Sequence, residues 1–313
     1  MIYSKFGKTD LEVSEIGFGA WAIGGKSWGD EKNDHEAIQA LEKACDMGIN
    51  LYDTCDAYGD GHSECLIGEF LKGRREQAVI VTKGGTNYRM PDRRKDFTRD
   101  YLMMCLDESL KRLQTEYIDV YLLHVPDVGW QDREKVFDTL KEMKESGKVR
   151  YTGLAMWGAE DTMHALAMDT KDTLDVLECP FNILNKSNVQ VVELAKQREI
   201  AVLTSQPLAS GVLTGKYKTG TVFGNGDNRQ GFWTKERWEA LAPDMEIIES
   251  CAEETGLSMT ELALAYNLSY EGISCVIPGG RNPRQVEGNV RAAGKRLDRA
   301  VMERLMQTKG FTY

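Results

Sequence analysis

The chain has no metal-ligand spacing, no paired cysteine motif and no apolar run of membrane length. Its four histidines never fall as His-x-x-x-His, so no metal centre is expected. Seven cysteines are scattered, odd in number and without a Cys-x-x-Cys. That excludes a zinc ribbon or a redox pair and fits a reducing, cytoplasmic setting. No run approaches the ~18 apolar residues of a membrane helix. No apolar stretch follows Lys5, as a signal peptide would require. Basic excess is missing as well: the net charge is −10, which argues against a nucleic-acid partner. No strand runs into a Gly-x-Gly-x-x-Gly turn, since Gly17-x-Gly19 has no third glycine correctly placed. The dinucleotide fingerprint of a doubly wound sheet is therefore absent. There is no linker and no low-complexity stretch, so residues 1–313 are expected to form one domain.

What the chain does have is a regular alternation of short apolar strands and amphipathic helices. Ile16-Gly17-Phe18 reads as a first strand. Ala37, Ile38, Leu41, Ala44 and Cys45 recur at helical spacing before a stop at Gly48. Strands over 49–52, 78–82, 119–123, 150–154, 174–178, 200–204 and 274–277 follow. Helices are expected over 63–71, 99–112, 131–145, 159–168, 187–197, 258–268 and 283–291. Eight such units predict an α/β protein, a parallel (β/α)8 TIM barrel. Residues 1–13 read as an N-terminal β-hairpin able to plug the barrel's bottom, and Asp298–Gln307 as an extra C-terminal helix. Residues 205–235 form a long Gly-rich insertion after the seventh strand, placed to overlie an active site.

Three polar residues end three apolar runs: Asp53 after Gly48–Tyr52, Lys83 after Ala78–Thr82, and His124 after Ile118–Leu123. Tyr58 follows Asp53 in Asp53-Thr54-Cys55-Asp56-Ala57-Tyr58-Gly59. Consecutive strand ends of a barrel share one rim, so the four converge. A tyrosine titrates near ~10, and a neighbouring ammonium favours its phenolate, so Lys83 is expected to lower that value. Asp53 would hold Lys83 charged, and His124 would orient a carbonyl. Tyr58 is then the general acid in reduction and the base in oxidation. None of these groups supplies a hydride, so redox chemistry needs an organic cofactor. A turn at Ile277-Pro278-Gly279-Gly280-Arg281-Asn282 before a helix at Pro283 offers a phosphate site, with Arg281 and Arg284 adding charge.

These residues, in order, resemble the aldo-keto reductase family, in its bacterial, inositol-utilisation-type branch. Gly17-Phe18-Gly19-Ala20-Trp21 matches the first-strand motif. Gly48 to Gly59 with Ser63-Glu64 and Ile67-Gly68 matches the second. Thr82-Lys83, Asp107–Leu113, Tyr117-Ile118-Asp119 and Leu123-His124 continue it. Pro207-Leu208 and Gly211-Val212-Leu213-Thr214-Gly215-Lys216-Tyr217 match a cofactor-covering loop. Ile277-Pro278-Gly279 with Gln285 and Asn289 matches an adenosine-phosphate site. The resemblance implies an NADP cofactor, with NAD as the alternative, and carbonyl–alcohol interconversion on a sugar, polyol or small aldehyde. It implies cofactor contacts from Gly19, Ala20, Trp21, Glu178, Ser205, Gln206, Pro207, Leu208, Gly211, Leu213, Gly215 and Lys216. Pro278, Gly279, Gly280, Arg281, Gln285 and Asn289 would hold the phosphate end. Trp21, Trp28, Tyr88 and Trp157 would line the substrate site, with Trp130 and Trp233 also on rim loops.

The departures from the family lie at the nicotinamide. Ala155-Met156 stand where Ser-Asn is usual, Glu178 where a Gln is usual, Ser205 where an aromatic is frequent, and Gly288 where a Glu is. Three readings follow: a reductase with Glu178 or Gln206 replacing the lost contacts; an epimerase or eliminase that retains its cofactor; or a cofactor-sensing binding protein. An ionised Glu178 favours the cationic oxidised ring and hints at oxidation of a sugar or polyol. The arginine-rich stretch Arg89–Lys95 offers an anionic-substrate contact or a solvated surface.

Overall fold

The structure is a computed structural model that describes residues 1–25, 28–29, 33–126, 133–169, 172–218 and 220–311. A hairpin pairs β1 (Tyr3–Lys5) with β2 (Glu12–Ser14). The barrel strands are β3 (Phe18–Gly19), β4 (Leu51–Asp53), β5 (Val79–Gly84), β6 (Ile118–His124), β7 (Val149–Ala155), β8 (Val176–Pro180), β9 (Ala201–Ser205) and β10 (Cys275–Val276). They pair in chain order, all parallel. Bridges from Ile16 to Val276 and from Gly19 to Gly279 join the last strand to the first and close the barrel. The expected (β/α)8 architecture is present.

The helices are α1 (Trp21–Gly24), α2 (Asp34–Asp46), α3 (His62–Phe70), α4 (Arg99–Leu113), α5 (Arg133–Glu145), α6 (Ala159–Met168), α7 (Val189–Gln197), α8 (Lys235–Thr255), α9 (Met259–Leu268), α10 (Pro283–Val290) and α11 (Arg299–Met306). Their boundaries follow ordinary capping chemistry. Ser258 and Glu261 form a capping box on α9, and Asn282 caps α10 just before Pro283. α8 is the one long element that the sequence pattern did not reveal. Pro243 inside it reads as a breaker, yet the helix runs through it and buries Trp238, Leu241, Ile248 and Cys251. Trp233, expected on a rim, packs instead against Trp238 and Phe311 as loop core. Trp130 lies outside the described residues.

Strand alternation divides the core in two. Tyr52, Ile80, Tyr121, Leu123, Leu154, Leu177 and Val202 belong to the layer between sheet and helices. Leu51, Val79, Val81, Val120, Leu122, Val176, Ala201, Leu203 and Cys275 fill the barrel interior. The hairpin closes the bottom, because Phe6, Leu11 and Val13 join that interior cluster and Lys8 N bonds Glu199 O at 2.7 Å. The interior positions one step further up the strands are Asp53, Lys83, Ala155, Glu178 and Ser205. The same period of two that packs the core therefore aims these residues at the mouth.

Phe6 is fully buried. Phe6→Ala is expected to destabilise the protein by about 3–5 kcal/mol in urea unfolding while leaving the turnover of folded protein unchanged. A loss of activity without a loss of stability would show that the hairpin serves the site rather than the barrel's bottom.

Candidate active site

A groove of about 1230 Å³ crosses the barrel mouth, from Tyr58 and His124 at one end to Arg281, Arg284 and Gln285 at the other. Asp53, Lys83 and Glu178 meet beneath its first end. Lys83 Nζ donates to Asp53 Oδ1 and to the Thr54 carbonyl oxygen at 2.9 Å, and stands 3.0 Å from Glu178 Oε2. All three side chains are buried. Burial pulls the ammonium down, but Asp53 and then Glu178 outweigh it, so Lys83 stays charged, well above the ordinary lysine value. Burial, then repulsion from Glu178, holds the Asp53 carboxyl well above the usual carboxylate range despite Lys83.

Tyr58 lies over this cluster, its ring centre 5.2 Å from Lys83 Nζ. Trp21 stacks on it at 6.1 Å, and His124 meets it edge-on at 6.3 Å. The position depends on Gly59, whose φ is +63° and where a Cβ would sit 1.5 Å from Gly24 O. Among the described residues no group hydrogen-bonds the Tyr58 hydroxyl, which leaves it for a ligand. The expected lowering of its pKa does not occur. Burial raises it well above the ordinary value first; Lys83 lowers it, but Asp53 and Glu178 work against Lys83. The burial and the second anion, Glu178, neither of which shows in the sequence around Tyr58, reverse the sign. Tyr58 is thus a firmly protonated phenol, suited to donate.

His124 carries a further detail. Lys95 Nζ donates to Thr86 Oγ1 at 2.7 Å and to the His124 carbonyl oxygen at 2.9 Å. Thr86 Oγ1 lies 3.0 Å from His124 Nδ1. The Thr86 hydroxyl accepts from Lys95 and keeps its own proton to give; its donation to Nδ1 would leave the imidazole proton on Nε2. Burial, with Lys95, Lys83 and Arg93 nearby, pushes the ring well below the ordinary histidine value. His124 is therefore a neutral N–H donor. Thr86 and this role of Lys95 had no sequence signal, because they depend on a fold-back that bridges Thr86 to Lys95.

The other proposed contacts divide. Gly19, Trp21, Trp28, Trp157, Glu178, Ser205, Gln206, Pro207, Leu208, Gly211, Lys216, Gly279, Arg281, Gln285 and Asn289 line the groove. Ala20, Leu213, Gly215, Pro278 and Gly280 stand outside its lining. Ala20 and Leu213 are fully buried, and Pro278 uses its carbonyl to hold Gly19 N at 3.0 Å. Tyr88 turns away to Arg112 and Arg89, so a substrate contact there is not supported. Arg229 and Asp227 were missed. Arg229 pairs with Asp227 at 2.6 and 2.8 Å and lies over Trp28, Tyr217 and Phe223 at 4.3–5.0 Å. This pins the long loop after β9 to the loop after β3, across the groove.

The groove suits an extended dinucleotide. At the far end, the N-terminus of α10 faces it with Arg281 and Arg284. Gln285 Oε1 accepts from Arg281 N at 2.9 Å, and Asn289 Nδ2 donates to Gly279 O at 3.0 Å. Helix N-termini with arginines hold phosphate. At the near end, Glu178 Oε2 and Gln206 Oε1 are buried acceptors without hydrogen bonds from the described residues. Orphaned acceptors of this kind fit a ligand's amide N–H groups.

The sequence profile of the Aldo/keto reductase family matches residues 15–309. The chain therefore belongs to that family of nicotinamide-dependent oxidoreductases, which act on small-molecule substrates. It is similar to the aldo-keto reductase YhdN of Bacillus subtilis, 33% identical over 297 residues, covering 92% of this chain and 87% of that one. It also resembles a probable voltage-gated potassium channel β subunit of Arabidopsis thaliana, 29% identical, covering 93% and 91%. Among solved structures, a glycerol dehydrogenase of Gluconobacter oxydans superposes with a TM-score of 0.84 at 26% identity, covering 99% and 97%. An aldo-keto reductase of Bacillus halodurans, in its holo form, shares the fold with a TM-score of 0.83 at 24% identity, covering 100% and 98%.

Behind the site, Asp56 is buried, and among the described residues nothing hydrogen-bonds its Oδ2. Burial, then repulsion from Glu64, pushes its carboxyl up to about 7. The fold thus prefers the protonated form. Its stability relative to the unfolded chain is full below the ordinary Asp value and declines as pH rises towards about 7. Asp56→Asn is expected to raise the melting temperature at pH 8 and to leave it almost unchanged at pH 4. Equal shifts at both pH values would contradict the buried carboxyl's charge as the cause.

Proposed function

We propose that this protein interconverts a carbonyl and an alcohol with NADP, and that Tyr58 moves the proton. One observation carries the reading. A protonated phenol, a neutral imidazole N–H and a buried ammonium converge at one end of a groove whose other end is a basic helix N-terminus. The bound cofactor would supply the hydride. Tyr58 donates its hydroxyl proton to the carbonyl oxygen in reduction and takes it back in oxidation. His124 Nε2–H donates a hydrogen bond to the same oxygen and orients it. Lys83, fixed by Asp53 and Thr54, supplies the positive charge that stabilises Tyr58 once its proton has left. Trp21, Trp28 and Trp157 form an aromatic wall, which supports a sugar, polyol or small aldehyde as substrate. The glycerol dehydrogenase among the similar structures supports the polyol class.

Arg281 and Arg284 at the phosphate end support NADP over NAD. The Arg229–Asp227 clamp over the groove favours a second reading, in which a retained cofactor is oxidised and re-reduced within one epimerisation. The intact Tyr58–Lys83–His124 cluster favours catalysis over a purely cofactor-sensing role. We also take residues 1–313 as a single barrel unit working in the cytoplasm, a setting supported by seven free cysteines.

Tyr58→Phe is expected to lower turnover by at least about 100-fold while NADPH binding, followed by fluorescence titration, stays within about twofold. A variant that keeps most of its activity would show that Tyr58 is not the proton donor. In a screen of sugars, polyols and aldehydes with the matching cofactor form, a net change in the absorbance of reduced nicotinamide is expected. Product without net absorbance change would select the epimerase reading.

A further inference from the structure

The barrel mouth holds one more charge than the proton transfer uses. Lys83 is paired with Asp53, and Glu178 brings a second carboxyl group 3.0 Å from the same ammonium. Lys83 is 0%, Asp53 3% and Glu178 6% exposed. Glu178 Oε2 is sealed from water and receives no hydrogen bond from the described residues, its approach to Lys83 being off-angle. A buried carboxylate in that condition is costly. It is relieved either by a proton held on the neighbouring Asp53 carboxyl, or by a second cation.

The groove indicates where such a cation would come from. A hydride must reach the carbon whose oxygen Tyr58 and His124 address, so the redox ring must lie close to both. At this level the opposite wall is made by the inward-facing ends of β7, β8 and β9: Ala155, Glu178 and Ser205, in adjacent register. Ala155 offers only a methyl group and Ser205 only a hydroxyl. Glu178 is the one ionisable side chain on that wall. An oxidised nicotinamide ring is cationic, and a reduced ring is neutral.

We propose that Glu178 sets the oxidation state of nicotinamide that this protein prefers to hold, its carboxylate being the counter-charge of the oxidised ring. The proposal rests on the nicotinamide-dependent function above and deepens it: the site rests with the oxidised cofactor bound. The charge balance is explicit. Without cofactor, the two carboxyl groups, one ammonium and the proton held by Asp53 sum to zero. The oxidised ring takes the proton's place, and the proton leaves to solvent, so the sum stays zero. The reduced ring displaces nothing. The other titratable groups facing the cluster cannot supply that proton near neutrality. Tyr58 and the thiols of Cys55, Cys179 and Cys275 are held protonated by burial, and His124 is held neutral.

The test is the binding of NADP+ and NADPH to the wild type, Glu178→Gln and Glu178→Asp, by tryptophan fluorescence at pH 7.5. Calorimetry of the same pairs in two buffers of different ionisation enthalpy counts the protons. Glu178→Gln is expected to weaken NADP+ relative to NADPH by about ten-fold or more and to abolish proton release on NADP+ binding. Glu178→Asp, which keeps the charge, is expected to retain the preference. A Kd ratio within twofold of wild type in Glu178→Gln, or unchanged proton release, would overturn the proposal while leaving the nicotinamide function standing. If the wild type bound neither form, the function itself would fall, and the proposal with it. Should Glu178→Gln fail to fold, the wild type alone decides: proton release with NADP+ but not NADPH supports the proposal, and equal release with both overturns it.

Discussion

The ammonium of Lys83 is the constraint around which the barrel mouth is organised. It is fully buried, and a buried charge survives only when paired and hydrogen-bonded. Asp53, the Thr54 carbonyl and Glu178 meet that demand from two strands and a loop. Their positions follow from register: Asp53 pairs with Val81, two residues before Lys83, and Ala155 pairs with Glu178. A slip of one residue in β4, β5 or β8 would turn a charged group into the apolar layer under the helices. The interior packing that stabilises the barrel and the cluster that does its chemistry are thus specified by the same alternation.

Around that charge the proton-bearing groups take fixed states. Tyr58 keeps its proton because burial and two carboxylates outweigh one ammonium. His124 stays neutral because it is enclosed beside Lys95, Lys83 and Arg93. Thr86, held by Lys95, then contacts the imidazole at Nδ1. One end of the groove therefore offers two neutral donors, the Tyr58 O–H and the His124 N–H, over a single cation. That is the arrangement a developing alkoxide needs, with little reorganisation on reaction. The far end offers a helix N-terminus and arginines, and the loop carrying Arg229 spans the distance between.

Much of this was legible in the sequence. Eight apolar runs alternating with helical spacing pointed to a barrel. Asp53, Lys83 and His124 ended consecutive runs, and barrel topology brings such ends together whatever their separation along the chain. α8 was not legible, because Pro243 mimics a helix stop while tertiary burial of Trp238 and Ile248 overrides it. The Arg229–Asp227 clamp and the Lys95–Thr86–His124 chain were hidden for another reason. Both depend on how irregular loops fold back, and no periodicity encodes that. The upward direction of the Tyr58 pKa was hidden because sequence shows which charges are present but not how deeply they are buried. Glu178 was legible as a departure, but its contact with Lys83 was not.

The central claim is that Lys83 remains an ammonium because two buried carboxylates hold it. NMR of protein labelled with 15N at lysine Nζ reads that state directly, with Lys83→Arg used to assign the signal. The Lys83 resonance is expected to stay that of an ammonium at pH 10.5, where an ordinary lysine is half deprotonated. A resonance that moves to the neutral amine below that pH would contradict the claim.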